Sequence, residues 1–180
     1  MPQTTRERIL IAAEHLIMQT GHAKVTLSEI AQQLGMTHAA LYKHFKNKQD
    51  LWAAVATAWF NRDILSQIQV APQQPQKDQL HDWLWAFVSA KKQAATSNPQ
   101  MFALNTRYVD NHPQVLRQVL TKAYREIDRI MGYHDPHYAR AETILATFTV
   151  FTLPAFRDTW KTPDYQQRFE LIWSLIENGL

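Results

Sequence analysis

Cationic, aromatic and small polar side chains alternate with apolar ones in the segment LGMTHAALYKHFKNKQDL. If this segment is helical, His38 and Tyr42 are four residues apart and share one face, while Leu41 and Phe45 share another. Burial of the second face would leave the two rings of the first in solvent, together with Lys43. Such donors can bind the phosphates and base edges of a DNA duplex, whose major groove admits one helix.

The residues before this segment supply the helices that must hold it. Thr26 and Glu29 form a capping box that starts one helix, and a first helix starts in the same way at Thr4. Gly35 can adopt the positive φ of a tight turn, and Thr37 can cap a third helix only two residues later. Helices joined by so short a turn cross steeply, which predicts a helix-turn-helix. The alternative is a packing unit whose lysines are only solvated.

Helical signals continue to the end of the chain, and no pattern of period two indicates a strand. Apolar spacing and first-turn prolines predict further helices over residues 80–95, 99–110, 113–131, 136–151 and 163–178. The sequence therefore predicts an all-α fold. We expect a three-helix helix-turn-helix domain at 1–48, a long connecting fourth helix at 48–67, and a C-terminal helical domain for dimerisation and effector binding at 68–180.

The charge of the chain is unevenly distributed. Through residue 62 there are seven Lys and Arg against four Asp and Glu, an excess of +3, whereas the remaining twelve basic and twelve acidic residues cancel. This asymmetry favours a polyanionic partner for the first third of the chain. The chain has no cysteine and no apolar run of transmembrane length, so we expect a cytoplasmic protein without disulfides and without a membrane partner.

Residues that could serve catalysis or metal binding are not spaced for it. His134, Asp135 and His137 lie close together in GYHDPHY, but a tight turn with a capping Asp explains this segment without a metal. The sequence contains no glycine-rich phosphate loop, and no nucleophile–base pair can be inferred from spacing. We therefore expect no metal site, no cofactor and no enzymatic activity.

The first ~60 residues closely resemble the DNA-binding domain of TetR-family transcriptional regulators. VTLSEIAQQLGMTHAALYKHFKNKQDL follows the family pattern T-x-x-x-I-A-x-x-x-G-V-S and then L-Y-x-H-F-x-x-K-x-x-L without a gap. Two departures are Met36, where Val is frequent, and Ala39, where Gly often allows close approach to DNA. The resemblance implies phosphate contacts from Thr26, Thr37, Tyr42, His44 and Lys48, and base contacts from His38, Ala39 and Lys43.

The same resemblance implies that the C-terminal domain forms dimers and holds a small lipophilic or aromatic effector. Two apolar helical stripes predict a four-helix dimer bundle, with an interface at Ile144, Phe148, Phe169, Ile172, Trp173 and Ile176. The alternative is a larger core within one chain. A mostly apolar ligand pocket is predicted from Trp83, Phe87, Met101, Phe102, Asn105, Tyr108, Tyr124, Phe148 and Phe151, with Arg107 as a further polar candidate; alternatively, these aromatic residues are core.

The resulting prediction is a regulator of transcription, most simply a repressor that binds a palindromic double-stranded DNA operator as a homodimer. A small-molecule effector would release it. The alternative is a helical ligand-binding or scaffolding protein whose N-terminal module contacts protein rather than DNA.

Overall fold

The computed structural model describes residues 3–180, which form helices joined by short loops. The α-helices are α1 (Thr5–Thr20), α2 (Leu27–Gln33), α3 (His38–Leu41), α4 (Lys48–Trp59), α5 (Gln76–Ser97), α6 (Pro99–Asn105), α7 (Pro113–Met131), α8 (Ala139–Thr147) and α9 (Tyr165–Ile176). Wider π-helical turns occupy Phe60–Ile64 and Thr106–Asp110, and tighter 3-10 turns occupy Leu65–Gln67, Thr149–Phe151, Pro154–Lys161 and Glu177–Gly179. No strand occurs in this part of the chain, so the predicted all-α fold is confirmed.

The helix-start signals at the N-terminus are confirmed in atomic detail. The Thr26 amide donates to the Glu29 carboxylate at 2.7 Å, and the Glu29 amide donates to the Thr26 hydroxyl at 3.2 Å. These bonds satisfy two amides that the first turn of α2 would otherwise leave without partners. Thr37 caps α3 by accepting from the Ala40 amide at 3.3 Å, and Gly35 has the positive φ of 63° that the turn requires.

Some later helix boundaries differ from the predictions. α5 begins at Gln76 rather than at Leu80. The helix predicted from Pro136 begins at Ala139, because Tyr138 is left-handed (φ 55°) and the Asp135 carboxylate accepts from the Ala139 amide. The 3-10 segment Pro154–Lys161 was not predicted, since its repeat of about 3.0 residues gives no apolar period of 3.6.

The chain divides into two compact units. Unit 1 contains the described residues up to Arg62 and Ser97–Leu116, and unit 2 contains Asp63–Thr96 and Arg117–Leu180. The sequence assigned residues 97–116 to the C-terminal domain, whereas here they group with the N-terminal helices, because α6 packs against α1 and α4. The domain boundaries proposed from the sequence stay a prediction.

Each unit has its own apolar core. In unit 1 the largest fully buried side chains are those of Trp52 and Trp59 in α4 and of Phe60 at the start of the π-helical turn that follows it. Unit 2 is built around an aromatic cluster in which the Phe148 and Phe169 ring centroids are 4.9 Å apart. No helix of the described residues is both long and apolar enough to cross a membrane.

Candidate nucleic-acid interface

The exposed side of α3 and of the turn that follows it consists of His38, Ala39, Tyr42 and Lys43, which we name the recognition face. Leu41 and Phe45 anchor the opposite side and are only 2% and 3% exposed, as predicted. The Tyr42 side chain is 48% exposed. The core therefore fixes α3 while its outer side remains accessible to a partner.

The α-helical part of the recognition segment is shorter than the sequence suggested. α3 ends at Leu41, and the amides of Lys43 and His44 donate to carbonyls three residues back, at 3.3 and 2.9 Å. After this change from α-helical to 3-10 hydrogen bonding, Tyr42 and Lys43 still point to solvent. The His38 and Tyr42 rings meet edge to face, with centroids 5.3 Å apart, so each ring restricts the orientation of the other.

The two threonines predicted to bind phosphate differ in their free hydrogen-bonding capacity. The Thr26 hydroxyl donates to the Glu29 carboxylate at 2.8 Å, so its hydrogen is already engaged. The backbone and side-chain hydrogen bonds from Thr26 lower the pKa of Glu29, which keeps this carboxylate charged and the cap intact. The Thr37 hydroxyl accepts from the Ala40 amide and keeps its own hydrogen for another acceptor. Thr37 is thus the better placed of the two.

Lys48 links two elements of unit 1 in addition to carrying an exposed charge. Its ammonium donates to the Val25 carbonyl at 2.9 Å and lies 5.4 Å from the Trp52 ring centroid. The start of α2 is thereby held against the first turn of α4. An ammonium has three hydrogens, so the predicted phosphate contact is compatible with this bond. Sequence spacing gave no signal of the contact with Val25, because the two residues are far apart along the chain.

His44 and Arg6 complete the surroundings of the recognition face. His44 is half-buried, in contrast to its exposed neighbours Tyr42 and Lys43. The Arg6 guanidinium lies over the Phe45 ring, 4.9 Å from its centroid, and adds a cation beside the face. Arg6 was not predicted, since it lies on α1 and only the fold brings it to Phe45.

Comparisons with known proteins connect this geometry to a family. Residues 9–55 match the model of the bacterial regulatory proteins of the tetR family. Residues 9–55 therefore form a DNA-binding-type domain of the tetR family. The match begins in α1 and ends in α4, so it contains the whole helix-turn-helix and all four residues of the recognition face.

Two curated relatives illustrate how far the sequence similarity extends beyond this domain. The HTH-type transcriptional repressor BepR of Brucella suis biovar 1 (strain 1330) is 43% identical over 51 residues, which are 28% of this chain and 24% of that protein. The uncharacterized HTH-type transcriptional regulator YvkB of Bacillus subtilis (strain 168) is 30% identical over 123 residues, or 64% of each chain. The match thus spans about a quarter of BepR and less than two thirds of YvkB.

Solved structures extend the likeness in fold to almost the whole chain. A TetR transcriptional regulator from Rhodococcus sp. RHA1 superposes with a TM-score of 0.68 and 18% identity, covering 98% of this chain and 97% of that one. BioQ in complex with its natural double-stranded DNA operator superposes with a TM-score of 0.59 and 20% identity, covering 94% and 96%. At these identities the comparison shows the fold, which agrees with the predicted architecture.

The residues predicted to line a TetR-type ligand pocket fall in both units. Met101, Phe102, Asn105 and Tyr108 belong to unit 1, whereas Trp83, Phe87, Tyr124, Phe148 and Phe151 belong to unit 2. All except the half-buried Tyr108 are buried, and Trp83 stacks on Phe87 with centroids 5.4 Å apart. This burial agrees with the alternative interpretation, in which the aromatic set is core. A ligand pocket lined by these residues stays a prediction.

Tyr108 and Arg107 have a clear local environment in unit 1. The His22 ring meets the Tyr108 ring edge to face at 6.0 Å, and the Arg107 guanidinium lies 5.6 Å from the same ring. Burial, and then the positive charges of Arg107 and Lys48, lower the pKa of His22. Tyr108 also borders a cavity of about 340 Å³ together with Lys46, Asn47, Gln49, Asp50, Ala53, His112 and Val115.

The residues predicted to form the dimer interface differ in how much of each faces solvent, and the interface itself stays a prediction. Phe148 and Phe169 have no exposed surface within a single chain, because they form the aromatic core of unit 2. Ile144 and Trp173 are also buried, while Ile172 and Ile176 are half-buried. The large apolar side chains that do face solvent on α9 are Leu171, at 57% exposed, and Leu175, at 83%.

The segment GYHDPHY is organised by a single carboxylate. Asp135 accepts from the amides of His137 at 2.9 Å and Ala139 at 2.7 Å, and so caps the start of α8. The backbone hydrogen bond from His137 is the main cause that lowers the pKa of Asp135. Among residues 3–180 no group of three His, Asp or Glu side chains could hold a metal ion.

Proposed function

We propose that this protein is a TetR-family regulator of transcription, which binds double-stranded DNA through the recognition face. The observation that carries the proposal is that a buried Leu41–Phe45 anchor presents His38, Tyr42 and Lys43 outward, within a segment that matches the family model. A polar, cationic helix face with donors at these positions fits the acceptors in the major groove.

Residues on the recognition face and beside it fall into a base-reading group and a phosphate-binding group. Lys43 and His38 can donate to the N7 and O6 acceptors of guanine, and Ala39 offers a methyl group to thymine. Tyr42, Thr37, His44 and Lys48 supply hydroxyl, ring and ammonium donors for phosphates. Phosphate contacts would fix the register of the helix on the duplex, and the first group would select sequence.

We further propose that the protein acts as a twofold dimer joined through the outer face of α9. Leu171 and Leu175 are four residues apart, share one face of the helix and are the most exposed large apolar residues of unit 2. Twofold symmetry would place the two recognition faces on half-sites of a palindromic operator, about 34 to 36 Å apart or somewhat more. The name of the relative BepR supports repression as the outcome of operator binding.

Release by a small-molecule effector is the remaining part of the proposal. If the effector binds one state of the dimer and DNA another, each must weaken the binding of the other by the same factor. A ligand that binds without changing operator affinity would contradict this coupling.

DNA binding is tested by fluorescence anisotropy of a labelled duplex over a series of salt concentrations. Affinity should fall linearly with the logarithm of salt, and the slope should decrease by about one when a phosphate-binding lysine is removed. Lys48→Gln is the test variant and Lys122→Gln, an exposed lysine of α7, is the matched control. Because Lys48 also holds Val25, thermal unfolding is measured on both variants. An unchanged salt slope in a folded Lys48→Gln protein would refute its phosphate role.

The dimer is tested by light scattering after size-exclusion chromatography. The double variant Leu171→Glu/Leu175→Glu should be a monomer, because each unpaired buried carboxylate would destabilise an apolar interface. Gln167→Glu, an exposed position on the same helix, should leave the dimer intact. A double variant that still elutes as a dimer would show that the subunits join elsewhere.

A further inference from the structure

Unit 2 contains a cavity that none of the predicted pocket residues borders. It has a volume of about 450 Å³, within the range of roughly 300–1,000 Å³ that small-molecule sites occupy. It lies between α5, the 3-10 segment Pro154–Lys161 and the start of α9. We name it the cationic cavity, and its lining is Trp85, Ser89, Lys92, Gln93, Ala95, Thr96, Arg157, Trp160, Lys161 and Tyr165.

The charge of this lining has one sign. Lys92, Arg157 and Lys161 contribute three cations, and the lining contains no carboxylate. Within residues 3–180 none of the three is ion-paired, whereas Arg117 and Arg168 of the same unit pair with carboxylates at 3.0 and 3.4 Å. Three cations around one concavity repel one another, and an anion placed between them removes that repulsion.

The walls of the cationic cavity are aromatic. The Trp85 and Tyr165 ring centroids are 5.9 Å apart, and the half-buried Lys92 ammonium lies 3.9 Å from the Tyr165 centroid. Tyr165 donates its hydroxyl hydrogen to the Val88 carbonyl at 3.2 Å, and burial raises its pKa to about 12. The phenol is therefore neutral at physiological pH and adds no negative charge to the cavity.

The 3-10 segment Pro154–Lys161, which borders the cationic cavity, is fixed by hydrogen bonds to residues outside the cavity lining. Trp160 is buried, and its indole N–H donates to the Val150 carbonyl at 2.9 Å. The Arg168 guanidinium donates to the Thr159 carbonyl at 2.6 Å. These bonds fix the segment that carries Arg157 and Lys161, so the cavity is preformed and a ligand loses little free energy in ordering it.

We propose that the cationic cavity binds a small aromatic carboxylate, whose ring packs against Trp85 and Tyr165 and whose anionic group is neutralised by Lys92, Arg157 and Lys161. The inference deepens the proposed function, on which it depends for its regulatory role, because it names the chemical class of the effector. Another cavity of unit 2, of about 560 Å³, is less suited to an aromatic anion. Its lining includes Arg140 and Tyr133 but no tryptophan and no second cation.

The experiment compares two probes of the same shape and different charge. Isothermal titration calorimetry of the full-length protein with 2-naphthoate should show binding, and the neutral 2-naphthamide should bind roughly tenfold more weakly or worse, since charge-assisted hydrogen bonds are about twice as strong as neutral ones. Lys92→Gln/Arg157→Gln/Lys161→Gln should remove most of this preference. Lys122→Gln is the matched control and should keep wild-type affinity for both probes.

Two further measurements keep the test decisive. Lys161 is exposed, so Lys161→Gln should fold as the wild type does and should alone weaken 2-naphthoate binding roughly tenfold. Trp85→Ala should weaken both probes, because it removes the stacking surface and not the charge. Equal affinity for the two probes, or 2-naphthoate binding unchanged in Lys161→Gln and in the triple variant, would overturn the inference.

Failure of this inference is distinguishable from failure of the proposed function. The same wild-type preparation is assayed for duplex binding without ligand. Duplex binding with no charge-dependent naphthoate binding leaves the DNA-binding function standing and removes the cationic cavity as a site. Charge-dependent naphthoate binding without duplex binding leaves the cationic cavity standing as a site and removes the DNA-binding function.

Discussion

The recognition face of unit 1 and the cationic cavity of unit 2 use the same kinds of side chains in opposite shapes. On the recognition face, Lys43 and Tyr42 project from a short helix whose other side is buried. In the cavity, Lys92 and Tyr165 face a concavity bounded by a second element. Cations and rings therefore do not specify a ligand by themselves. A convex row of donors fits an extended polyanion, and a concave one encloses a small anion.

The two regions also differ in what keeps them in place. The recognition face depends on capping bonds between residues three apart and on two buried anchors. The cationic cavity depends on contacts between distant parts of the chain, such as Tyr165 with Val88 and Trp160 with Val150. Local bonds can hold an exposed helix face in a short segment, whereas a cavity requires the assembled unit.

The largest expected effect is a loss of stability when an anchor beneath the recognition face is removed, in contrast to a residue of the face itself. Phe45→Ala should reduce the free energy of unfolding by about 3–5 kcal/mol, because it opens a cavity beneath α3 and removes the ring under Arg6. Tyr42→Ala should change it by less than about 0.5 kcal/mol but still weaken DNA binding. Chemical denaturation and duplex anisotropy measure the two effects. Equal destabilisation by both changes would contradict the division between anchor and face.

Two single substitutions, one in each region, test whether each region has its own ligand. Lys43→Gln should weaken duplex binding and leave 2-naphthoate unaffected, while Lys161→Gln should do the opposite. Each effect should be about 1.5 kcal/mol, roughly tenfold in affinity, which is the lower end of the contribution of a hydrogen bond to a charged group. Anisotropy and calorimetry on both variants provide the measurement. If either lysine affected both ligands equally, the assignment of separate sites would be wrong.

A smaller effect concerns the turn that sets the angle of the recognition face. Gly35→Ala should cost about 1–2 kcal/mol, because Gly35 has φ +63° and an L-residue is strained there. No atom lies within 4 Å of the added Cβ, so the cost comes from the backbone alone. Gly179→Ala in unit 2 also meets open space and has no such φ, so it should be close to neutral. Thermal unfolding that ranked the two variants in the reverse order would refute the strain argument.

The smallest effect is an opposite response of the two units to pH. Burial and nearby cations lower the pKa of His22, so its contribution to stability is present above pH 6.5 and is lost as pH falls through the folded-state pKa. Burial also acts to lower the pKa of His81, but hydrogen bonds to Glu170 and Asp82 outweigh it and raise the pKa. That contribution is present below pH 6.5 and is lost as pH rises through the folded-state pKa.

Histidine-selective NMR titration measures both groups in one sample, with His22→Gln and His81→Gln providing the assignments. We expect the pKa of His22 to lie below the usual histidine value of 6.5 and the pKa of His81 to lie above it. A His81 midpoint below that of His22 would contradict the environments described for the two rings.

The sequence predicted the helix caps, the turn and the exposed side of α3 well, because their determinants are local. Each determinant lies within a few residues of the atoms that it orders: the capping box at Thr26 and Glu29, the turn at Gly35 and the cap at Thr37. The bond from Lys48 to Val25 was not predicted, since it joins residues 23 apart in sequence. The shortened end of α3 was not predicted either, because i to i+3 bonds leave the apolar spacing unchanged.

The cationic cavity could not be predicted in the same way. Trp85 and Tyr165 come from helices far apart in sequence, and Arg157 and Lys161 come from a 3-10 segment that lacks a helical apolar period. Apolar stripes correctly indicated that Phe148 and Phe169 are buried, but periodicity cannot distinguish a subunit core from a subunit interface.

The most direct test of the central claim is photo-cross-linking from the recognition face to DNA. The photoreactive residue p-benzoylphenylalanine is placed at position 42 in one protein and, as a control, at Phe156, an exposed aromatic residue of unit 2, in another. Irradiation with a labelled duplex at low salt should yield a protein–DNA adduct from position 42 and none from position 156. Equal adducts from both positions, or an adduct from position 156 alone, would contradict the claim that α3 carries the DNA-binding face.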